Sequence, residues 1–417
     1  MLGAFQICPA HSANTSSVKP DLLESDRYGL SCKIGGFHID PWLAVPIAVI
    51  THAHSDHARG GCGLYYCATE GREVLAKRLP AGSTIIDVAY GEKFRLGSTW
   101  VSFHPAGHIR GSAQVRVESA EEVWVCSGDY KRQPDPTCSP FEVVTCDVFI
   151  TEATFGLPIY RWQPTSEVIF DIAQWWKFNQ QAGRPSVLFS YALGKAQRIL
   201  AELHALAEIT EFAWMHEHPV LLHGAAMPLT QAYRGDGIKM LSTSSASEWN
   251  SRSSDSPTPP TPLGTRGTRR KKSTQRDMAE DSRPHATAID SQQSLVTQSQ
   301  VATYTSPLVI APPSAAGTLW MRRFDDARTG FASGWMQVRG VRRRQGYDRG
   351  FVVSDHVDWH DLLLTIQQTT AKRILVTHGN TQTVAKYLRE QGLEASVLGT
   401  QYTGDEDVTA DTGGSNF

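Results

Sequence analysis

Three imidazoles and a carboxylate fall within six residues at His52-Ala53-His54-Ser55-Asp56-His57, directly after the apolar run 47–51. On a tight loop, alternation lets His52 and His54 point one way while Asp56 and His57 reach a neighbouring position. Borderline-soft divalent cations favour imidazole nitrogen combined with carboxylate oxygen. A lone histidine is ordinarily a surface or satisfied core residue. This density at a strand end has no such explanation and reads as a metal-ligand loop. Three further ligand-type residues also follow apolar runs: His108 in Pro105-Ala106-Gly107-His108, Asp129 in Ser127-Gly128-Asp129-Tyr130, and His378 in Val376-Thr377-His378-Gly379. Gly107 lets its loop approach closely, and a carboxylate at Asp129 is suited to bridging two ions. Strand ends of one sheet converge in space, so all of these residues are expected in one site.

The elements that must position them are short. Residues 28–152 read as β units broken by glycine, proline and aspartate, with strands expected at 47–51, 100–103, 114–117, 123–126 and 148–151. From residue 165 the pattern turns helical: a helix over 167–181, a strand over 186–190 and a helix over 195–207 indicate an inserted α/β unit. Residues 242–300 are rich in serine, threonine, proline and charge, with almost no aromatics. They cannot bury enough apolar surface to offset their ordering entropy and are expected to be disordered. The run Arg269-Arg270-Lys271-Lys272 within them is most simply a solvated charge run. Order is expected again at 308–311, followed by a helix over 362–368, a strand over 373–377 and a helix over 384–391. No fixed-period repeat is present.

Composition bounds the partners. The 417 residues carry a formal net charge of −2, with 41% hydrophobic and 20% charged residues. A polyanionic partner would therefore have to meet a local patch. Such a patch is available before His356, where Arg322, Arg323, Arg328, Arg339, Arg342, Arg343, Arg344 and Arg349 crowd together with Trp335 and Tyr347 interleaved. Arg339, Arg342 and Arg343 are the candidate substrate contacts there. Lys195, expected at a helix N-terminus, is a candidate for a backbone phosphate. The seven cysteines are single and odd in number, so reduced thiols are expected rather than a disulfide framework. Without a leader pattern or an apolar run of about 20 residues, a cytoplasmic protein is expected.

The order of these motifs, from Asp40 in Ile39-Asp40-Pro41 to the late His378, resembles the metallo-β-lactamase superfamily. The resemblance implies an αββα sandwich in which His52, His54 and His108 hold one metal, Asp56, His57 and His378 hold the other, and Asp129 bridges. It implies zinc, with manganese as the alternative, and makes Asp40 a buttress of the ligand loop. Thr151-Glu152-Ala153-Thr154-Phe155, Ser354-Asp355-His356-Val357-Asp358 and Val376-Thr377-His378-Gly379 are similar to motifs A, B and C of the β-CASP nucleases. Ala192-Leu193-Gly194-Lys195-Ala196-Gln197 is similar to a signature of their inserted domain. The implied layout is a core over 1–155 and 354–417, with a β-CASP-like α/β insertion over 156–353.

Two metals suit phosphodiester cleavage, supplying a bridging hydroxide for in-line attack and a clamp on developing charge. Asp56, Glu152 and His356 form the expected catalytic set, His356 as general acid oriented by Glu152. Within the β-CASP proteins, Ile39-Asp40-Pro41-Trp42, Val125-Cys126-Ser127-Gly128-Asp129-Tyr130-Lys131, the stretch Glu152 to Trp162 and Phe331-Ala332-Ser333-Gly334-Trp335-Met336 resemble the bacterial ligase-associated DNA damage response exonucleases. That implies a DNA exonuclease acting beside an ATP-dependent ligase and a helicase. An RNA-processing β-CASP nuclease is the alternative; a small-ester or thioester hydrolase, or a binding module with a decayed site, fits the residues less well.

Overall fold

Short apolar runs interrupted by glycine and proline can form only short strands, and the first part of the chain is built from them. The structure, a computed structural model, describes residues 20–120, 122–249, 306–340 and 346–401. One sheet contains β1 (Glu24–Ser25), β2 (Leu30–Cys32), β3 (Phe37–Ile39), β4 (Ile47–Val49), β5 (Leu64–Ala68) and β6 (Ile85–Val88) in sequential order, with helix α1 (Arg72–Arg78) between β5 and β6. β7 (Lys93–Leu96), β8 (Thr99–Pro105), β9 (Ala113–Glu118), β10 (Val123–Cys126) and β11 (Val148–Ala153) begin a second sheet.

The chain then leaves that sheet. It forms α2 (Thr165–Gln181), β12 (Ser186–Phe189), α3 (Lys195–Ala207), β13 (Val220–Leu222), α4 (Met227–Gly235), β14 (Thr243–Ser245), β15 (Leu308–Ala311), β16 (Arg328–Ala332) and β17 (Arg349–Phe351). These strands make a third sheet in the order β14-β13-β15-β12-β16-β17, and every pairing in it is parallel. Parallel strands are covered on both faces and so read as continuous apolar runs. Accordingly Leu188 and Ile310 face one core while Val187, Phe189 and Val309 face another. After α5 (Trp359–Thr369), β18 (Arg373–Gly379), α6 (Thr381–Glu390) and β19 (Glu394–Val397) return the chain to the second sheet, whose order is β19-β18-β11-β10-β9-β8-β7.

The first two sheets face each other across a core containing Phe37, Val49, Phe103, Val115, Trp124 and Ile150. Alternation along β10 shows the principle: Trp124 and Cys126 enter that core, while Val125 points the other way to meet α5 and α6 through Leu362 and Val384. The outer face of the first sheet packs Ala48 and Tyr65 on α1 and shares its core with Trp176 of α2 and Ile199 of α3. The layering is therefore helix, sheet, sheet, helix, with the third sheet and its helices built against the first.

Several elements fall where the sequence places them, among them β10, α3 and β15. The segment expected to be disordered from residue 242 begins too early. Residues 242–249 are ordered, with Thr243–Ser245 pairing in parallel with Val220–Leu222. An edge strand is held by main-chain hydrogen bonds, so its serines and threonines give no apolar signal. Arg323 donates to the Ala246 carbonyl at 3.0 Å and ties this edge down. Residues 250–305, with Arg269 to Lys272, lie outside the described residues. The six cysteines among the described residues are free thiols, and no described helix is long and apolar enough to cross a membrane.

Candidate metal centre

The ligand loop hangs from one buried carboxylate. Asp40, just past β3, has a left-handed backbone (φ 43). It accepts hydrogen bonds from the Thr51 amide at 2.7 Å and the Thr51 hydroxyl at 2.5 Å, and lies 2.8 Å from His57 Nδ1. These contacts end β4 at Val49 and turn His57 so that Nε2 faces inward, 3.6 Å from both Asp56 Oδ2 and Asp129 Oδ2. His52 Nε2 lies 3.4 Å from the same Asp129 oxygen, and His108 Nε2 lies 3.8 Å from it. His378, left-handed at φ 65, approaches the other Asp129 oxygen at 3.5 Å through Nδ1. Such backbone strain in non-glycine residues is commonest at functional sites.

His108 is oriented from the far end of the chain. Its Nδ1 donates to the Asp355 carbonyl at 2.7 Å, which leaves Nε2 as the ligand atom. Gly107 has φ +71, and a Cβ there would lie 2.4 Å from the Lys131 carbonyl, so no other residue brings this loop so close. His54 Nε2 faces the Leu193 carbonyl at 3.4 Å, and its Nδ1 faces His108 Nε2 at 3.1 Å. With those protons placed on the carbonyl sides, two lone pairs confront each other, an arrangement that a cation relieves.

Potential donor atoms thus gather in two groups, one of His52, His54, His108 and Asp129 and one of Asp56, His57 and His378. The carboxylate of Asp129 reaches both groups. His52 Nε2 and Asp129 Oδ1 are buried and make no hydrogen bond, a cost that coordination would remove. Burial and the neighbouring imidazoles hold His52 and His108 well below the usual histidine range, and burial with His57 brings His378 down to about 4, so these rings are neutral and competent as ligands. Burial opposes a charge on His57, but Asp56, Asp129 and Asp40 outweigh it and raise that ring to about 10. Burial, reinforced by Glu152 and opposed by His57, holds Asp129 up at about 7. The residues present fit two divalent cations, which would be held with the His57 ring neutral.

A further pair adjoins this set. Glu152, at the end of β11, holds His356 Nδ1 at 2.9 and 3.1 Å through its two oxygens, and accepts from the Tyr130 amide at 2.8 Å and the Thr154 hydroxyl at 2.6 Å. Burial raises its carboxyl, but the His356 charge and these hydrogen bonds outweigh it and hold it below the usual range. Donor atoms of Asp129, Glu152 and His356 lie within 4.8 Å of one another.

The expected substrate contacts fare differently. Lys195 is buried, with Nζ 3.5 Å from Asp355 Oδ2 and stacked over the Tyr191 ring, not open to solvent at the start of α3. Arg339 is exposed, while Arg342 and Arg343 lie outside the described residues. Elsewhere in the arginine cluster, among the described residues, Arg328 pairs with Asp348 and Arg349 with Asp171. Arg198, Lys131 and Asp135, which the sequence reading did not single out, form a buried charge cluster beside Asp355. Arg198 shows in the sequence only as a charge on the apolar stripe of α3, and nothing in the sequence ties it to Lys131 and Asp135.

No family profile matches the chain. It is 28% identical over 374 residues to a probable DNA ligase of Opitutus terrae, covering 89% of this chain and 30% of that protein. It is 30% identical over 120 residues to a ribonuclease of Thermus thermophilus (28% of this chain, 26% of that one) and 37% identical over 199 residues to cleavage and polyadenylation specificity factor 73 of Drosophila melanogaster (43% and 28%). The chain thus spans 30% or less of the length of each of these relatives. The layering and the grouped donor residues are those expected of a metallo-β-lactamase-type α/β fold with an inserted α/β unit, and the relatives named above include a ribonuclease and a polyadenylation cleavage factor.

Proposed function

We propose that the chain is a metal-dependent nuclease, with DNA as its favoured substrate. The observation that carries this reading is a single carboxylate, Asp129, reaching two donor groups while the Glu152–His356 pair stands beside it. Divalent cations held there, zinc or manganese, supply Lewis-acid activation of water and neutralise charge on a phosphate. The chain's own residues supply the rest. Glu152 fixes the proton of His356 on Nδ1, so Nε2 is the nitrogen that delivers a proton to the leaving oxygen. His52, His54 and His108 would hold one cation and Asp56, His57 and His378 the other, with Asp129 within reach of both groups. Asp56 would belong to the catalytic set as one of these cation-holding residues. In this reading residues 1–155 and 354–417 carry the metal core, and the insertion over 156–353 receives the strand, with Arg339 at its exposed edge.

The finer reading is an exonuclease role in repair, in the cytoplasm beside a ligase and a helicase. Of these, only the link to a ligase has support, from the relative named a probable DNA ligase, which aligns with 89% of the chain over 30% of its own length. A second reading, cleavage of RNA, is favoured by the relatives named as ribonucleases and endoribonucleases. Single- and double-stranded DNA and matched RNA, each labelled at the 5′ or the 3′ end, separate the two. The proposal expects stepwise release of nucleotides from DNA in zinc or manganese. Cleavage of RNA alone would contradict the repair role.

A further inference from the structure

A cluster of six charged side chains lies beside the metal centre, and the reaction outlined above uses none of them. Lys131 and Asp135 come from the loop after β10, Lys195, Arg198 and Glu202 from α3 of the insertion, and Asp355 from the segment before α5. Lys131 Nζ lies 2.5 Å from Asp135 Oδ2, and the same oxygen is 3.4 Å from Arg198 Nε. Arg198 Nη1 donates to the Ser354 carbonyl at 2.7 Å and lies 3.2 Å from Asp355 Oδ1, while Nη2 donates to the Thr165 hydroxyl at 2.6 Å. Lys195 takes the other Asp355 oxygen, and Glu202 stands 3.9 Å from Arg198 Nε. Apart from Glu202, these side chains are no more than 5% exposed.

Stability alone is a poor reason for such a cluster. Well-packed apolar residues commonly serve as well as a buried ion network or better, because each charge must be desolvated. What the cluster does is locate residues 354–356. The Asp355 carbonyl fixes the ring of His108, and His356 follows as the next residue. The Trp162 indole donates to the His356 carbonyl at 2.9 Å and secures the far side. On the other flank, Lys131 donates its amide to the Ala106 carbonyl at 3.0 Å, and its own carbonyl sets the space that only Gly107 fits.

We propose that Arg198, held by Asp135 and gripping Ser354 and Asp355, is a positioning residue that registers the inserted unit onto the metal centre and thereby sets His108 and His356 together. Lys195 is part of this grip and not a phosphate contact. The inference rests on the nuclease reading for its kinetic arm only. Arginine is needed because one planar fork meets Asp135, Ser354, Asp355 and Thr165, which a lysine cannot reproduce.

The test compares full-length wild type with Arg198→Lys, using bis(p-nitrophenyl) phosphate as substrate and counting metal retained per chain after dialysis against a weak chelator. Arg198→Lys is expected to lower kcat about 10- to 100-fold with KM changed little, and to lose metal from the His108 group at chelator levels that leave the wild type loaded. If Arg198→Lys folds poorly, Arg198→Met combined with Asp135→Asn removes one charge of each sign and is expected to show the same two losses. Wild-type kcat and metal retention in a folded variant would overturn the inference. So would a lowered melting temperature with unchanged kcat per folded molecule, which would mark the cluster as structural only. Should the wild type retain metal yet leave the diester intact, the nuclease reading fails, and metal retention by the variant alone decides the inference.

Discussion

Asp40 holds no place among the seven candidate ligands, yet three atoms of the ligand loop depend on it: the Thr51 amide, the Thr51 hydroxyl and His57 Nδ1. A residue that orients a ligand commonly controls 10- to 100-fold in metal affinity. Asp40→Ala is therefore expected to weaken metal binding by about that factor, most at the Asp56–His57–His378 group, whose His57 it contacts directly. Titration with a competing chelator checks this, and unchanged affinity for both ions would refute it. The residue scale was also the most legible one. His52 to His57 is compact enough to read directly, and His108, Asp129 and His378 each precede or follow a glycine at a strand end. Glu152 and His356, 204 positions apart, have no local pattern that joins them, and only their resemblance to known motifs points to the pair.

At the scale of elements, the site exists because β4, β8, β10, β11 and β18 stop near one another, and the loops that follow are shaped by close backbone contacts. Gly107→Ala places a methyl group against the Lys131 carbonyl in a left-handed conformation. It is expected to cost about 1–3 kcal/mol and to displace His108, so thermal melting and metal count should fall together. A lower melting temperature with two ions retained would mean that the loop relaxes without moving its ligand. The elements carrying strong periodicity, such as α3 and β10, were readable from sequence. β14 was not, because it pairs through its main chain. The buried cluster around Arg198 was not either, because charges brought together from residues 131, 135, 198 and 355 leave no trace in any single window.

Across the whole molecule, that cluster couples the inserted unit to the core and gives folding a pH signature. Burial alone would raise the Asp135 carboxyl, but Lys131 and Arg198 outweigh it and bring it down to about 2, from 3.8. A depressed folded value contributes stability that is complete above about pH 4 and is lost as pH falls toward 2, on the order of 2 kcal/mol. Asp135→Asn should flatten this part of the denaturation profile relative to wild type; an unchanged slope between pH 4 and 2 would show that the pairing does not act across the two units.

In the proposed reaction one carboxylate, Asp129, would serve two ions for phosphodiester cleavage. The most direct measurement pairs metal count with cleavage of labelled single-stranded DNA, comparing wild type, Asp129→Ala and His356→Ala. Two ions and cleavage are expected in the wild type, fewer than two ions and no cleavage in Asp129→Ala, and two ions with cleavage reduced about 10²- to 10⁴-fold in His356→Ala. Full cleavage by Asp129→Ala, or a wild type that binds two ions and cuts no nucleic acid, would contradict this.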